Sequence, residues 1–282
     1  MKKIGEFLKK EIVLSVALLL AILSMFIVLP DKEYVGYIDF RTLSILFCLM
    51  AVMVGMQEIG VFRFTAEKLL VKVKNTIQLV LILVLLCFFF SMFMTNDVAL
   101  ITFVPFTFIV LQMLGEDIEK RLMIPVVVFQ TIAANLGSML TPMGNPQNLY
   151  LYGKSGMGLG SFLGLMLPYT LFSLVLLIFC GVWLGKKSSD GTVEVVLKEK
   201  TSLKGREKEL LRYSVLFVLS LLTVAHVLDY RMCLVIVLAA FLILDRPLLK
   251  RVDYGLLLTF IGFFVFIGNM GRVPFFNDLL QK

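Results

Sequence analysis

The chain has 282 residues, of which 59% are hydrophobic and only 17% charged, with a mean hydropathy of +0.94. A soluble domain would carry about a quarter charged residues, so a soluble enzyme, a secreted disulfide scaffold and a nucleic-acid-binding domain are all excluded. The net charge of +7 is distributed as a topology signal. Twenty-one of the 27 lysines and arginines fall in clusters at 2–10, 63–74, 120–121, 186–212 and 246–251. With a cytoplasmic N-terminus every rich cluster lies inside, provided 77–111 enters the membrane and returns on the same side.

The first expected span covers 12–29. It follows a basic start, but it is 18 residues long and ends at Leu29-Pro30-Asp31-Lys32 without a small-x-small cleavage pattern. It therefore reads as a retained span and not as a signal peptide. A second span covers 38–56. Residues 58–75 read as an interfacial helix, with Phe62, Ala66, Leu70 and Val73 on its apolar face and Lys68, Lys72 and Asn75 opposite.

Two apolar arms follow, 77–94 and 98–113, separated only by Thr95-Asn96-Asp97. Three residues cannot form the surface loop that ordinarily joins two full crossings, so the segment is expected to be a re-entrant helical hairpin. The apolar run 122–153 is then interrupted at 137–148, where Pro142 and Pro146 remove two backbone donors and Gly137 and Gly144 flank them. A helix broken near mid-membrane is expected, leaving freed carbonyls and polar side chains around the gap. Span 161–184 returns to the cytoplasm, 186–212 reads as a solvated linker, and spans 213–228, 232–245 and 254–271 complete the chain.

There is an internal echo at an offset of about 210 residues. Ile38-Asp39-Phe40 opens one span and Val252-Asp253-Tyr254 the last. Glu58-Ile59-Gly60 and Glu67-Lys68-Leu69-Leu70 are echoed by Asn269-Met270-Gly271 and Asn277-Asp278-Leu279-Leu280. The two spans run in opposite directions, so the repeat is inverted, as in many transporters. The expected architecture is all-α and polytopic, with about eight spans plus one re-entrant hairpin. Residues 1–185 form an N-terminal repeat, 186–212 a cytoplasmic linker and 213–282 the start of a second repeat. On this reading the second hairpin would begin after Lys282, and the chain is C-terminally truncated.

Asp97 is the one ionisable side chain between Lys74 and Glu116. A carboxyl at membrane depth needs a cation, a proton or donors, so Asn96, Asp97 and the tip carbonyls are expected to form a cation or proton site facing the 137–148 break. The alternative is a simple N-cap for the helix beginning at Val98, and a turn between two spans remains open for 141–148. His226 reads as an interfacial or packed histidine, and Glu58 and Asp39 as wetted caps. The four cysteines (Cys48, Cys87, Cys180, Cys233) lie in apolar spans and read as buried inert thiols. No phosphate-cradling loop, metal-ligand cluster or nucleophile–base pair is present in the sequence, so no enzyme activity is expected.

The stretches 91–105 and 135–148, SMFMTNDVALITFVP and NLGSMLTPMGNPQN, resemble the citrate-transporter-like anion permeases of the ion transporter superfamily. That group includes divalent anion:sodium symporters, arsenical pump membrane proteins and NhaD-type sodium/proton antiporters. The resemblance implies a secondary active transporter moving a small carboxylate or oxyanion with Na⁺ or H⁺, or else a cation/proton antiporter, or a truncated half-carrier that needs a partner. It implies ion and substrate binding by Thr95, Asn96, Asp97, Ser138, Thr141, Gly144, Asn145 and Asn148, with Na⁺ at Asn96, Asp97 and Asn145 and no other cofactor. Asp97 stands where the dicarboxylate carriers have a hydroxyl residue. The implied partners are the lipid bilayer, a second copy in a homodimer and a subunit supplying the missing repeat, with no nucleic acid. The implied location is the inner membrane, multi-pass.

Overall fold

The computed structural model describes residues 11–188 and 201–275, and within them the chain is built of helices. These are α1 (Ile12–Ile27), α2 (Tyr34–Tyr37), α3 (Phe40–Glu58), α4 (Val61–Leu70), α5 (Thr76–Phe90), α6 (Asn96–Met113), α7 (Glu116–Ser138), α8 (Pro146–Ser155), α9 (Leu159–Lys187), α10 (Glu207–Val224) and α11 (Tyr230–Leu244). A 3-10 helix (Arg246–Arg251) and α12 (Tyr254–Gly271) follow. Among the described residues, α3, α6, α7, α9 and α12 are long and apolar enough to cross a membrane, and α1, α5 and α11 are shorter apolar helices. The chain is a polytopic membrane protein.

Helix α9 serves as a ruler for the rest. Its 29 residues extend about 43 Å, more than a bilayer core, whereas the 15 residues of α5 extend about 22 Å. The second half of α9 packs on α5: a Cβ on Gly185 would lie 2.6 Å from Ile77 Cα, and one on Gly181 would lie 2.8 Å from Leu81 Cδ2. The first half packs instead on α8, where the rings of Phe162 and Tyr152 stack edge to face at 5.5 Å. The α5 arm therefore packs along the second half of α9, while α8 touches its first half at the Tyr152–Phe162 pair.

Helix α3 repeats this arrangement. Thr42 near its start faces Gly153 of α8, while Gln57 near its end donates to Thr102 of α6 at 3.3 Å. Between those ends, Leu46, Leu49, Met50 and Met53 line a narrow gap whose other wall is Met94, Thr95, Val98 and Met143. The hairpin tip therefore sits opposite the middle of α3. The three-residue connection thus keeps the ends of α5 and α6 close together, while α6 itself is long and apolar enough to cross a membrane.

The break in the long apolar run falls at 139–145, inside the expected 137–148. Some boundaries differ from expectation. Helix α7 starts at Glu116 and α10 at Glu207, because the Glu, Lys, Leu and Arg residues flanking the apolar runs are themselves good helix formers. The linker is correspondingly shorter, and 189–200 lies outside the described residues, as do 1–10 and the 277–280 part of the echo. The interfacial helix is confined to Val61–Leu70, with Phe62, Ala66 and Leu70 buried as its pattern requires. Glu67 is buried with them at 4% exposure, which the pattern did not suggest.

Helices α1 and α12 run parallel in close register. A Cβ on Gly262 would touch the Ala17 carbonyl at 3.1 Å, Asn269 donates to Ser24 Oγ and Tyr34 Oη at 2.9 Å, and Arg272 bonds Asp31 at 2.7 Å. The echo at Asp39 and Asp253 reaches the backbone. Their φ, ψ values are −81°, 85° and −76°, 84°. Each carboxylate accepts from the amide three residues on, Thr42 at 3.0 Å and Leu256 at 2.9 Å, and each follows a short helix. The likeness does not extend to the far ends: Glu58 is ion-paired with Arg251, whereas Asn269 is fully buried.

Candidate functional site

The hairpin turn and the helix break meet. Helix α5 ends in overlapping turns, in which Ser91 N bonds Cys87 O and Met94 N bonds Phe90 O, satisfying the last carbonyls of the arm. The chain then enters α6, and Asn96 N, one of its orphan first-turn donors, bonds Gly144 O across the break at 3.1 Å. Thr141 Oγ1 donates to Met92 O at 2.5 Å. Thus the tip is hydrogen-bonded to the break from both sides, and the N-termini of α6 and α8 are separated by a single hydrogen bond.

The break is held open by its own side chains. Asn148 Nδ2 reaches the carbonyls of Ser138, Met139 and Thr141 at 3.4, 3.0 and 3.3 Å, so three carbonyls at the break, among them the Ser138 carbonyl that Pro142 leaves without a helical donor, are gathered onto one amide. Asn145 caps α8, its Oδ1 accepting from Asn148 N at 2.8 Å, and its Nδ2 donates to Ser138 Oγ at 3.3 Å. Thr141 Oγ1 also accepts from Gly144 N at 3.1 Å. At Gly144 a Cβ would fall 2.1 Å from Ser138 O, so the turn admits only glycine there.

Of the residues expected at this site, Thr95, Asn96, Ser138, Thr141, Gly144, Asn145 and Asn148 are brought together in this way. Asp97 is not brought onto the break. It is exposed, its carboxylate makes no hydrogen bond to a described residue, and the carboxylate within electrostatic reach is that of Asp253. The reason is helical geometry: successive residues project about 100° apart, so a helix that turns Asn96 toward the break turns Asp97 away from it. Of the three residues expected to hold Na⁺, Asn145 accepts from the Asn148 amide through its side-chain oxygen and Asn96 donates to Asn135.

Two residues absent from the expected set belong to the assembly. Asn135 Oδ1 accepts from Asn96 Nδ2 at 3.1 Å, and Asn135 Nδ2 donates to Thr131 O at 2.8 Å. Thr131 and Asn135 are exposed and Asn96 is half-buried, so amides lie open on this face. The available signal was Asn135 itself, an amide one helical turn before Ser138. Beneath them Gln130 is fully buried and ties three helices together, donating to Leu83 O of α5 at 3.0 Å and to Thr107 Oγ1 of α6 at 2.8 Å.

Chemically, the assembly offers two positive helix N-termini, amide donors and, next to Asn96 in the chain, the Asp97 carboxylate. Helix N-termini favour anions, while the carboxylate and second carbonyl lone pairs favour a hard cation or a proton.

A family model described as citrate transporter matches residues 7–279. An uncharacterized transporter of Methanocaldococcus jannaschii is 31% identical over 267 residues, covering 94% of this chain and 69% of its own. The inner membrane protein YbiR of Escherichia coli is 32% identical over 260 residues, covering 92% and 67%. The silicon efflux transporter LSI3 of Oryza sativa is 29% identical over 180 residues, covering 62% of this chain and 35% of its own.

Proposed function

Since the chain belongs to the citrate transporter family, and is therefore a membrane transporter and not an enzyme, we propose that it moves a small carboxylate or oxyanion by secondary active transport coupled to Na⁺ or H⁺. The observation that carries this reading is the Asn96 N to Gly144 O bond, which joins the starts of α6 and α8. Paired interrupted helices whose N-termini meet at half depth are the arrangement by which transporters bind anionic groups. Thr95 and Asn96 at the tip, with Ser138, Thr141, Gly144, Asn145 and Asn148 at the break, bind substrate and ion, and Asn135 joins them. An exposed amide pair at membrane depth requires water or protein opposite. A second repeat, within the same protein or on a partner subunit, closes the site.

Access alternates as α5–α9 moves against a scaffold of α1, α3 and α10–α12. The contact between them supports such sliding: it is lined by Met50, Met53, Met94 and Met143, flexible side chains that repack cheaply. We place the protein as a homodimer in the inner membrane with its N-terminus in the cytoplasm.

A cation/proton antiporter is the second reading, favoured by Asp97, an exposed carboxylate at the tip. Asp97→Asn separates the two in membrane vesicles. Loss of ΔpH-driven cation exchange assigns antiport, whereas retained uptake of labelled citrate, succinate or sulfate with an altered pH profile assigns anion symport. Uptake of none of the three anions by the wild type sinks the anion reading.

A further inference from the structure

Where α3 ends, an open cleft of about 470 Å³ lies between Gln57–Gly60 and Arg63 on one side, Ile101 and Thr102 of α6 on another, and Thr201, Ser202 and Arg206 on the third. Its volume is that of a small-molecule site, and its chemistry is that of an anion site. Arg206 Nη1 donates to the Glu58 backbone carbonyl at 2.9 Å, and among the described residues this guanidinium meets no carboxylate. That single bond leaves most of its fork of donors free. Arg63 engages Glu67 through Nε alone, at 2.8 Å, and is 48% exposed. The one carboxylate on the wall, Glu58, is paired with Arg251. The hydroxyls of Thr102, Thr201 and Ser202 and the Gln57 amide add polar lining, and Ile59, Phe62 and Ile101 add apolar lining.

The cleft is built, not incidental. Glu67 is 4% exposed and accepts from Thr201 N at 2.6 Å and Thr201 Oγ1 at 2.9 Å while also holding Arg63. One buried carboxylate therefore fixes both the 201–202 wall and an arginine. The floor is the returning arm of the hairpin. Thr102 lies six residues from Asn96, about 9 Å along the helix axis, and the exposed Asp97 and Ile101 share one face of that stretch.

We infer that this cleft is an anion-holding vestibule, in which Arg206 and Arg63 capture the carboxylate or oxyanion substrate at the Glu58 end of the bundle before it reaches the hairpin tip. The inference rests on the anion reading of the site and adds to it a second, arginine-based station on the α6 path. Guanidiniums in a partly enclosed cleft raise the local anion concentration, and salt screens the effect.

The test measures uptake of labelled citrate, succinate and sulfate in right-side-out and inverted membrane vesicles from cells expressing the gene, for the wild type, Arg206→Gln, Arg63→Gln and Arg206→Lys. Each glutamine variant is expected to raise KM about five-fold or more when the anion is presented at the Glu58 face in low salt, with the effect vanishing in high salt. KM from the opposite face and the maximal rate should stay within about two-fold, and Arg206→Lys should restore most of the loss because it keeps the charge. An unchanged KM at the Glu58 face overturns the inference while the anion reading stands. Equal shifts on both faces also overturn it, because the arginines then act through the fold. Wild-type vesicles that take up none of the three anions overturn both, and amounts of each variant in the membrane are matched by immunoblot so that misfolding is not read as lost affinity.

Discussion

Gly137 of α7 presses against the end of α5 so closely that a Cβ placed on it would lie 2.0 Å from the carbonyl oxygen of Phe88 and 2.7 Å from Ser91 Oγ. Helix backbone meets helix backbone there, at the level where both elements stop. Combined with Gln130, whose amide bonds both arms, the contact makes hairpin and broken helix one body, so the Asn96–Asn135 pair moves as a unit and not as two independent loops.

Gly137→Ala should force α7 away from the tip, since the obstructing atom is backbone and has no rotamer to change. Overpacking of this kind costs about 1–3 kcal/mol. The expected result is a lower melting temperature in detergent, read by fluorescence-detected size exclusion. The same substitution at Gly271, where a Cβ meets nothing within 4 Å, should leave the melting temperature unchanged.

Asn148 tests what keeps the break open. One amide nitrogen serves three carbonyls, and no neighbouring side chain replaces it. Asn148→Ala should cost on the order of 3 kcal/mol from orphaned buried acceptors. Asn148→Asp keeps the shape but turns an acceptor-only group on the same carbonyls, so it should be at least as damaging. An Asp variant as stable as the wild type would show that shape, not donation, holds the turn.

The sequence made the two interruptions legible because each is a local prohibition. Prolines at 142 and 146 forbid a continuous helical ladder, and Thr95-Asn96-Asp97 is too short for a surface loop. Their mutual contact was expected from the pairing of two interrupted segments and is borne out in the Asn96–Gly144 bond. What was not legible depends on partners distant in sequence. Asn135 owes its place to Asn96, 39 residues away. The pattern of the interfacial helix assigns Glu67 to neither face, and its burial depends on Thr201, 134 residues later. The exposure of Asp97 has a different origin. A triplet read as a loop tip puts all three residues at one place, whereas Asn96 already begins a helix, and one residue further on the side chain has rotated off the site.

His226 gives a pH dependence whose sign follows from its surroundings. It lies between α10 and α11 in a left-handed backbone, φ 65°, with its ring edge to face on Tyr152 at 5.2 Å and Arg41, Asp229 and Tyr230 around it. Partial burial first, and the charge of Arg41 second, lower its pKa from 6.5. A depressed histidine pKa means that the unfolded chain takes up a proton at a higher pH than the folded one. Stability from this group is therefore fully present above about pH 6.5 and declines as the pH falls through that value toward the folded pKa. The side chain is largely exposed, so solvent screening keeps the effect small. His226→Asn removes the titration and tolerates the left-handed conformation. The melting temperature of the wild type minus that of the variant should be flat above about pH 7 and fall as the pH drops below 6.5. A difference that rises in that window would mean that the imidazolium is welcomed at this end of the bundle, with Asp229 outweighing Arg41.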